Sequence, residues 1–118
     1  RLAALILFTF PGAPTVYYGD EAAMEGSEDP FNRAGYPWGQ EDTGLKSHFA
    51  ELARFRRSFP VLQTGELHWI WTSGSILIFA RELDGQLLAT AVNAASVITA
   101  LARPARQRSL DRAVLHAG

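Results

Sequence analysis

Between positions 20 and 42 the chain places seven carboxylates (Asp20, Glu21, Glu25, Glu28, Asp29, Glu41 and Asp42) against one cation, Arg33. Two carboxyl groups held close together can supply an acid and a nucleophile. The adjacent pair Asp20 and Glu21 does not fit that task, because neighbouring residues at a strand end point to opposite sides. Asp29 and Arg33 suit a different one: a carboxylate accepts hydrogen bonds from vicinal hydroxyls and a guanidinium fork donates to them. Their plain alternative is an i,i+4 ion pair that stiffens a loop, and the two roles are compatible. Trp38 either offers an apolar face to a ligand or pins the loop to the body. Glu21 reads as an anchor for neighbouring loops. With no cysteine, and with His48, His68 and His116 scattered, no metal site and no cofactor are expected.

These residues lie in a stretch broken by Gly26, Pro30, Gly35, Pro37 and Gly39, hence a long loop. Loops of that length are usually functional or disordered, and Phe31, Tyr36 and Trp38 argue against disorder. Ahead of the loop, residues 2–10 are apolar except for Thr9 and predict a buried helix that Pro11 stops. Residues 14–19 are β-branched and aromatic between glycine and proline signals, which predicts a buried strand. Tyr17 and Tyr18 would alternate faces of it, with core packing as their role. After the loop, Thr43 is the expected N-cap of a helix carrying Leu45, Phe49, Leu52 and Ala53, with Arg54, Arg56 and Arg57 in its last turn and a stop near Ser58 before Pro60. The period then becomes two over residues 66–72, 75–83 and 86–93, with Asp84-Gly85 as a hairpin signal. A short strand over 97–101 completes an antiparallel meander. Trp69 and Trp71 fall on one expected strand face with Leu67, a stripe that reads as core.

The chain has 118 residues, eleven Lys+Arg against twelve Asp+Glu, and is 47% hydrophobic. That is ordinary globular composition; it gives no support to a nucleic-acid partner, and the arginines of the last segment are too few to supply one. The longest apolar run is well short of the roughly 20 residues of a membrane span, so no membrane partner is expected. A chain that opens on Arg1 inside a helical pattern reads as a fragment. The compartment is left open, with the cytoplasm as the working expectation.

The run Phe10-Pro-Gly-Ala-Pro-Thr-Val-Tyr-Tyr-Gly-Asp-Glu21, then Asp29-Pro-Phe-Asn-Arg33, then Pro37-Trp38 resembles one segment of the α-amylase family of glycoside hydrolases, in its neopullulanase, cyclomaltodextrinase and α-glucosidase branch. The helix ending Arg-Phe-Arg-Arg-Ser-Phe-Pro and the strands around residues 76–82 and 92–93 continue the resemblance, which fades after about Leu101.

The resemblance implies an α+β fragment: the last αβα portion of a (β/α)8 TIM barrel, followed by an antiparallel all-β C-terminal domain. Residues 1–60 would hold the seventh barrel helix, the eighth strand, the acidic loop and the eighth helix, and residues 61–118 the β domain. It further implies that Asp29 and Arg33, with Trp38 beside them, bind an α-glucan or maltooligosaccharide. The family's catalytic carboxylates, an Asp, a Glu and a His-Asp pair, lie before Arg1, so no catalytic residue is expected here and the isolated chain is expected to be inactive. The partners implied are the rest of the barrel and the substrate, and the uncovered faces make a homo-oligomer conceivable. Two readings stay open beside this one: a stand-alone carbohydrate-binding or interaction module, and a plain α+β domain.

Overall fold

The computed structural model describes residues 1–95 and 100–101, and the arginine-rich end of the sequence lies outside them. Helix α1, Leu2–Thr9, forms from strong helix formers with no internal polar group except Thr9, whose hydroxyl donates back to the Leu5 carbonyl at 2.7 Å. It ends where Phe10 turns extended ahead of Pro11.

The predicted strand over residues 14–19 does not form. Residues 13–17 carry no strand pairing, and Tyr17 and Tyr18 are 68% and 45% exposed. The reason is physical: a strand exists through its neighbours, and no described strand lies beside this segment. Nor do the two tyrosines alternate, since their rings pack together at 5.1 Å. One 3-10 turn, Asp20–Ala22, follows, and the acidic stretch beyond it is a loop as expected.

Helix α2, Thr43–Ser58, ends where the sequence places the stop, but its N-cap is Asp42 rather than Thr43. The Asp42 carboxylate accepts from the Leu45 amide at 2.8 Å and satisfies an otherwise orphan donor. Asp42→Ala should therefore lower stability by about 1 kcal/mol. Urea denaturation checks this, and an unshifted midpoint would show that the cap contributes nothing. Pro60 does more than stop α2, because it opens a further helix, α3, Pro60–Thr64, at the position where its missing amide costs nothing.

Strands β1, Glu66–Ser73, β2, Ile76–Leu83, β3, Gln86–Asn93, and β4, Ala100–Leu101, form one antiparallel sheet in sequence order. Of the strand predicted over 97–101, residues 97–99 lie outside the described residues. Asp84 and Gly85 both take positive φ, 50° and 75°, the geometry of a tight hairpin whose twist matches its strands.

β1 carries a bulge: Trp69 pairs with Phe79 and Trp71 with Ile78, leaving Ile70 over. Phe79 and Ile78 face opposite sides of β2, so the two indoles do as well, and the expected stripe is broken. Trp69 packs on Phe10 and Phe79, at 5.8 and 6.0 Å between ring centroids. Both tryptophans stay exposed rather than entering the core.

The helices lie on the sheet through two apolar clusters. Ala4, Leu5 and Phe8 of α1 meet Leu52 of α2 and Val92 of β3, and Val61 and Leu62 of α3 meet Leu88 of β3. Each large side chain buried there contributes about 1.5–3 kcal/mol. Two buried arginines stitch the same contact. Arg56 of α2 donates to the carbonyls of Phe8 at 2.8 Å, Phe10 at 3.0 Å and Gly12 at 2.6 Å. Arg81 of β2 donates to those of Thr9, Leu62 and Gly65. Both guanidiniums thus sit at the C-terminal, negative end of α1, and burial lowers the pKa of each, with Arg56 adding to the effect on Arg81.

Candidate functional site

The acidic loop is fastened at both ends. On the near side Glu21 turns back so that its carboxylate accepts from the Gly19 amide at 3.1 Å, a bond within its own turn. Tyr18 reaches across the loop and donates from its hydroxyl to the Ala34 carbonyl at 3.0 Å. On the far side the Asp42 amide donates to the Ala22 carbonyl at 3.3 Å, which holds the start of α2 against the 3-10 turn.

Between these anchors Asp29 and Arg33 meet, Nε to Oδ1 at 2.8 Å, with side chains 59% and 75% exposed. The plain i,i+4 pairing is therefore present. So exposed a pair contributes little to stability, and its donors and acceptors remain open to solvent or to a polar ligand. Phe31 stands between the two in sequence and is also exposed.

Trp38 does not pin the loop to the body. It is 80% exposed and packs on Tyr36, ring centroids 4.6 Å apart. Its amide donates to the Tyr36 carbonyl at 2.9 Å, an i to i+2 bond that folds the two rings together around Pro37. Half-buried Tyr36 is in turn backed by Lys46 of α2, whose ammonium lies 6.0 Å from the ring centroid and pairs with Glu41 at 3.1 Å. Burial, and then the nearby Glu21 charge, raise the pKa of the Tyr36 phenol. The hydrogen bond to Glu41 raises that of Lys46. Glu41 is lowered, by its own main-chain amide first and by Lys46 second.

The structure thus brings Asp29 and Arg33 together as the sequence suggests and seats Trp38 on a different partner. Tyr36, Lys46 and Glu41 carry that seat, and the sequence does not mark them as its partners: no spacing rule links a loop tyrosine to a lysine in the first turn of a following helix. The loop thus exposes a carboxylate acceptor and a guanidinium donor at one point and a flat apolar ring at another. Among the described residues no group of three or more His, Cys, Asp or Glu is arranged to hold a metal ion, and no helix is long and apolar enough to cross a membrane.

No family model matches the chain. Individual relatives do. The amylopullulanase of Thermoanaerobacter thermohydrosulfuricus is 41% identical over 83 residues, which is 70% of this chain and 6% of that protein. The cyclomaltodextrinase of Thermoanaerobacter pseudethanolicus is 32% identical over 98 residues, 81% of this chain and 17% of that protein. The crystal structure of a debranching enzyme from Nostoc punctiforme superposes with a TM-score of 0.72 at 36% identity, over 77% of this chain and 19% of that one. The chain belongs to the α-amylase family of glycoside hydrolases. This α-amylase-family segment spans less than a fifth of each of those proteins, and its small α+β fold with an antiparallel sheet is shared with its structural neighbours.

Proposed function

We propose that this chain is part of a retaining glycoside hydrolase acting on α-glucosidic bonds of α-glucans, maltooligosaccharides or cyclodextrins, and that it supplies substrate-binding residues rather than the catalytic carboxylates. In this reading residues 1–60 complete a catalytic barrel and residues 61–118 form the β domain behind it. The extended segment 13–17 then becomes a barrel strand when strands from the rest of the enzyme lie beside it. The exposed side chains of Val16, Tyr17 and Tyr18 fit a segment that is covered in the whole enzyme.

One observation carries the binding role: the loop holds Asp29, Arg33 and Trp38 exposed on a backbone fastened at both ends. Asp29 accepts from sugar hydroxyls, Arg33 donates to them, and the Trp38 indole offers its face to a glucosyl ring. The i,i+4 bridge sets the carboxylate and guanidinium side by side and leaves acceptors and donors of both open to a substrate.

Arg33→Ala in the complete enzyme should lower kcat/KM on maltooligosaccharides by about 1–3 kcal/mol. Asp29→Ala should act in the same direction. Steady-state kinetics on a ladder of chain lengths decides it, and unchanged kcat/KM at every length would remove both residues from the site.

A further inference from the structure

We propose that Tyr36 is a positioning residue of the glucan-binding loop: its ring, backed by Lys46, sets the orientation in which Trp38 presents its indole face. The inference rests on the substrate-binding reading of the loop and goes beyond it to what makes the loop's aromatic surface rigid enough to be used.

Three observations carry it. An indole that is 80% exposed has little of its own burial to hold it in one orientation, and among the described residues the aromatic ring packed on it is Tyr36. Tyr36 itself is held from more than one side. Lys46 approaches its ring at 6.0 Å and is fixed by Glu41 at 3.1 Å, while the Glu21 carboxylate, anchored on the Gly19 amide, acts on its hydroxyl. Third, the Tyr36-Pro37-Trp38 backbone is closed by the Trp38 amide on the Tyr36 carbonyl, so a movement of one ring is passed to the other. A stacking platform for a sugar works only if it is pre-oriented, because ordering a free side chain on binding offsets the affinity gained.

The test uses the complete enzyme with maltotriose and maltohexaose as substrates. Tyr36→Leu removes the ring under Trp38 and should raise KM for maltohexaose roughly two- to tenfold, the range an aromatic pair accounts for, with kcat within about twofold. Tyr36→Phe keeps the ring and should restore most of that affinity. Trp38→Ala should match Tyr36→Leu, and the double variant should be no worse than Trp38→Ala alone, since the two act as one unit. Lys46→Met, at a solvent-exposed position, should give a smaller rise in the same KM and serves if Tyr36→Leu does not fold. Additive effects of Tyr36→Leu and Trp38→Ala overturn the proposal. So does a parallel fall of kcat and thermal midpoint in Tyr36→Leu without a change in KM, which marks a purely structural role. If Arg33→Ala and Trp38→Ala alter maltohexaose kinetics while neither Tyr36→Leu nor Lys46→Met does, this inference fails and the binding role of the loop stands. If none of the four has an effect, the binding role itself fails.

Discussion

Replacing Arg81 by Met should destabilise the protein by about 3–5 kcal/mol, the cost of leaving buried carbonyl acceptors without their donor at about 1–3 kcal/mol each. Arg81 is 1% exposed in the middle of β2. Its Nε and Nη2 donate to the Gly65 carbonyl at 3.1 and 2.6 Å, and its Nη1 to the carbonyls of Thr9 at 3.1 Å and Leu62 at 2.9 Å. Methionine would fill much of the same space, so the loss would not come mainly from a cavity. It would come from three carbonyls that stay where they are without donors. That separates this case from buried ion pairs replaced as a whole by apolar residues, where both charges leave together and the change is often neutral. Lysine should recover part of the loss at most, because one ammonium cannot reproduce a planar fork that reaches three acceptors. Urea denaturation of Arg81→Met and Arg81→Lys measures both, and a loss under about 1 kcal/mol for the methionine variant would show that water satisfies the carbonyls.

Arg81 also shows where sequence reasoning stops. Period two placed it within a strand, and Arg56 was legible as a cation in the last turn of its helix, where it complements that helix's own dipole. The structure uses both for another helix, α1, which has neither a basic residue in its last turn nor a side-chain cap at its start. Local rules see i,i+4 neighbours, whereas Arg56 to Phe8 spans 48 positions and Arg81 to Thr9 spans 72. The hairpin at Asp84-Gly85 was legible because its requirement is local: two consecutive residues must take positive φ. So was the end of α2 at Ser58. The strand predicted over 14–19 is unpaired for the opposite reason: its composition describes a buried strand, while strand formation depends on partners that no described element supplies. The pairing of Trp69 with Trp71 on one face failed through one bulged residue, Ile70, and one extra residue is enough to invert every position after it. In the candidate site, Asp29 and Arg33 were legible through the resemblance of Asp29-Pro-Phe-Asn-Arg33 to a family motif, while Tyr36 and Lys46, ten apart across a loop and a helix start, were not.

Gly65→Ala should cost about 3 kcal/mol, near the upper end of what forcing a methyl group into a packed site costs. The backbone at Gly65, φ −62° and ψ 156°, is open to any residue, so the penalty is one of space. A Cβ there would meet the Val61 carbonyl oxygen and lie 2.8 Å from the Glu82 carbonyl oxygen. Both are main-chain atoms, one in α3 and one in β2, and neither can swing aside as a side chain would. The Gly65 amide donates to that same Val61 carbonyl at 3.1 Å, and its own carbonyl is the acceptor Arg81 uses twice. Any shift that relieves the clash therefore also moves the acceptor away from the guanidinium. Two variants that break one network should not add: Gly65→Ala combined with Arg81→Met should fall short of the sum of the single losses by more than about 0.5 kcal/mol. Urea denaturation of the four proteins closes the cycle. A double variant additive to within that margin would mean that Gly65 is needed only for the fit between α3 and β2, and that Arg81 finds its acceptors without it.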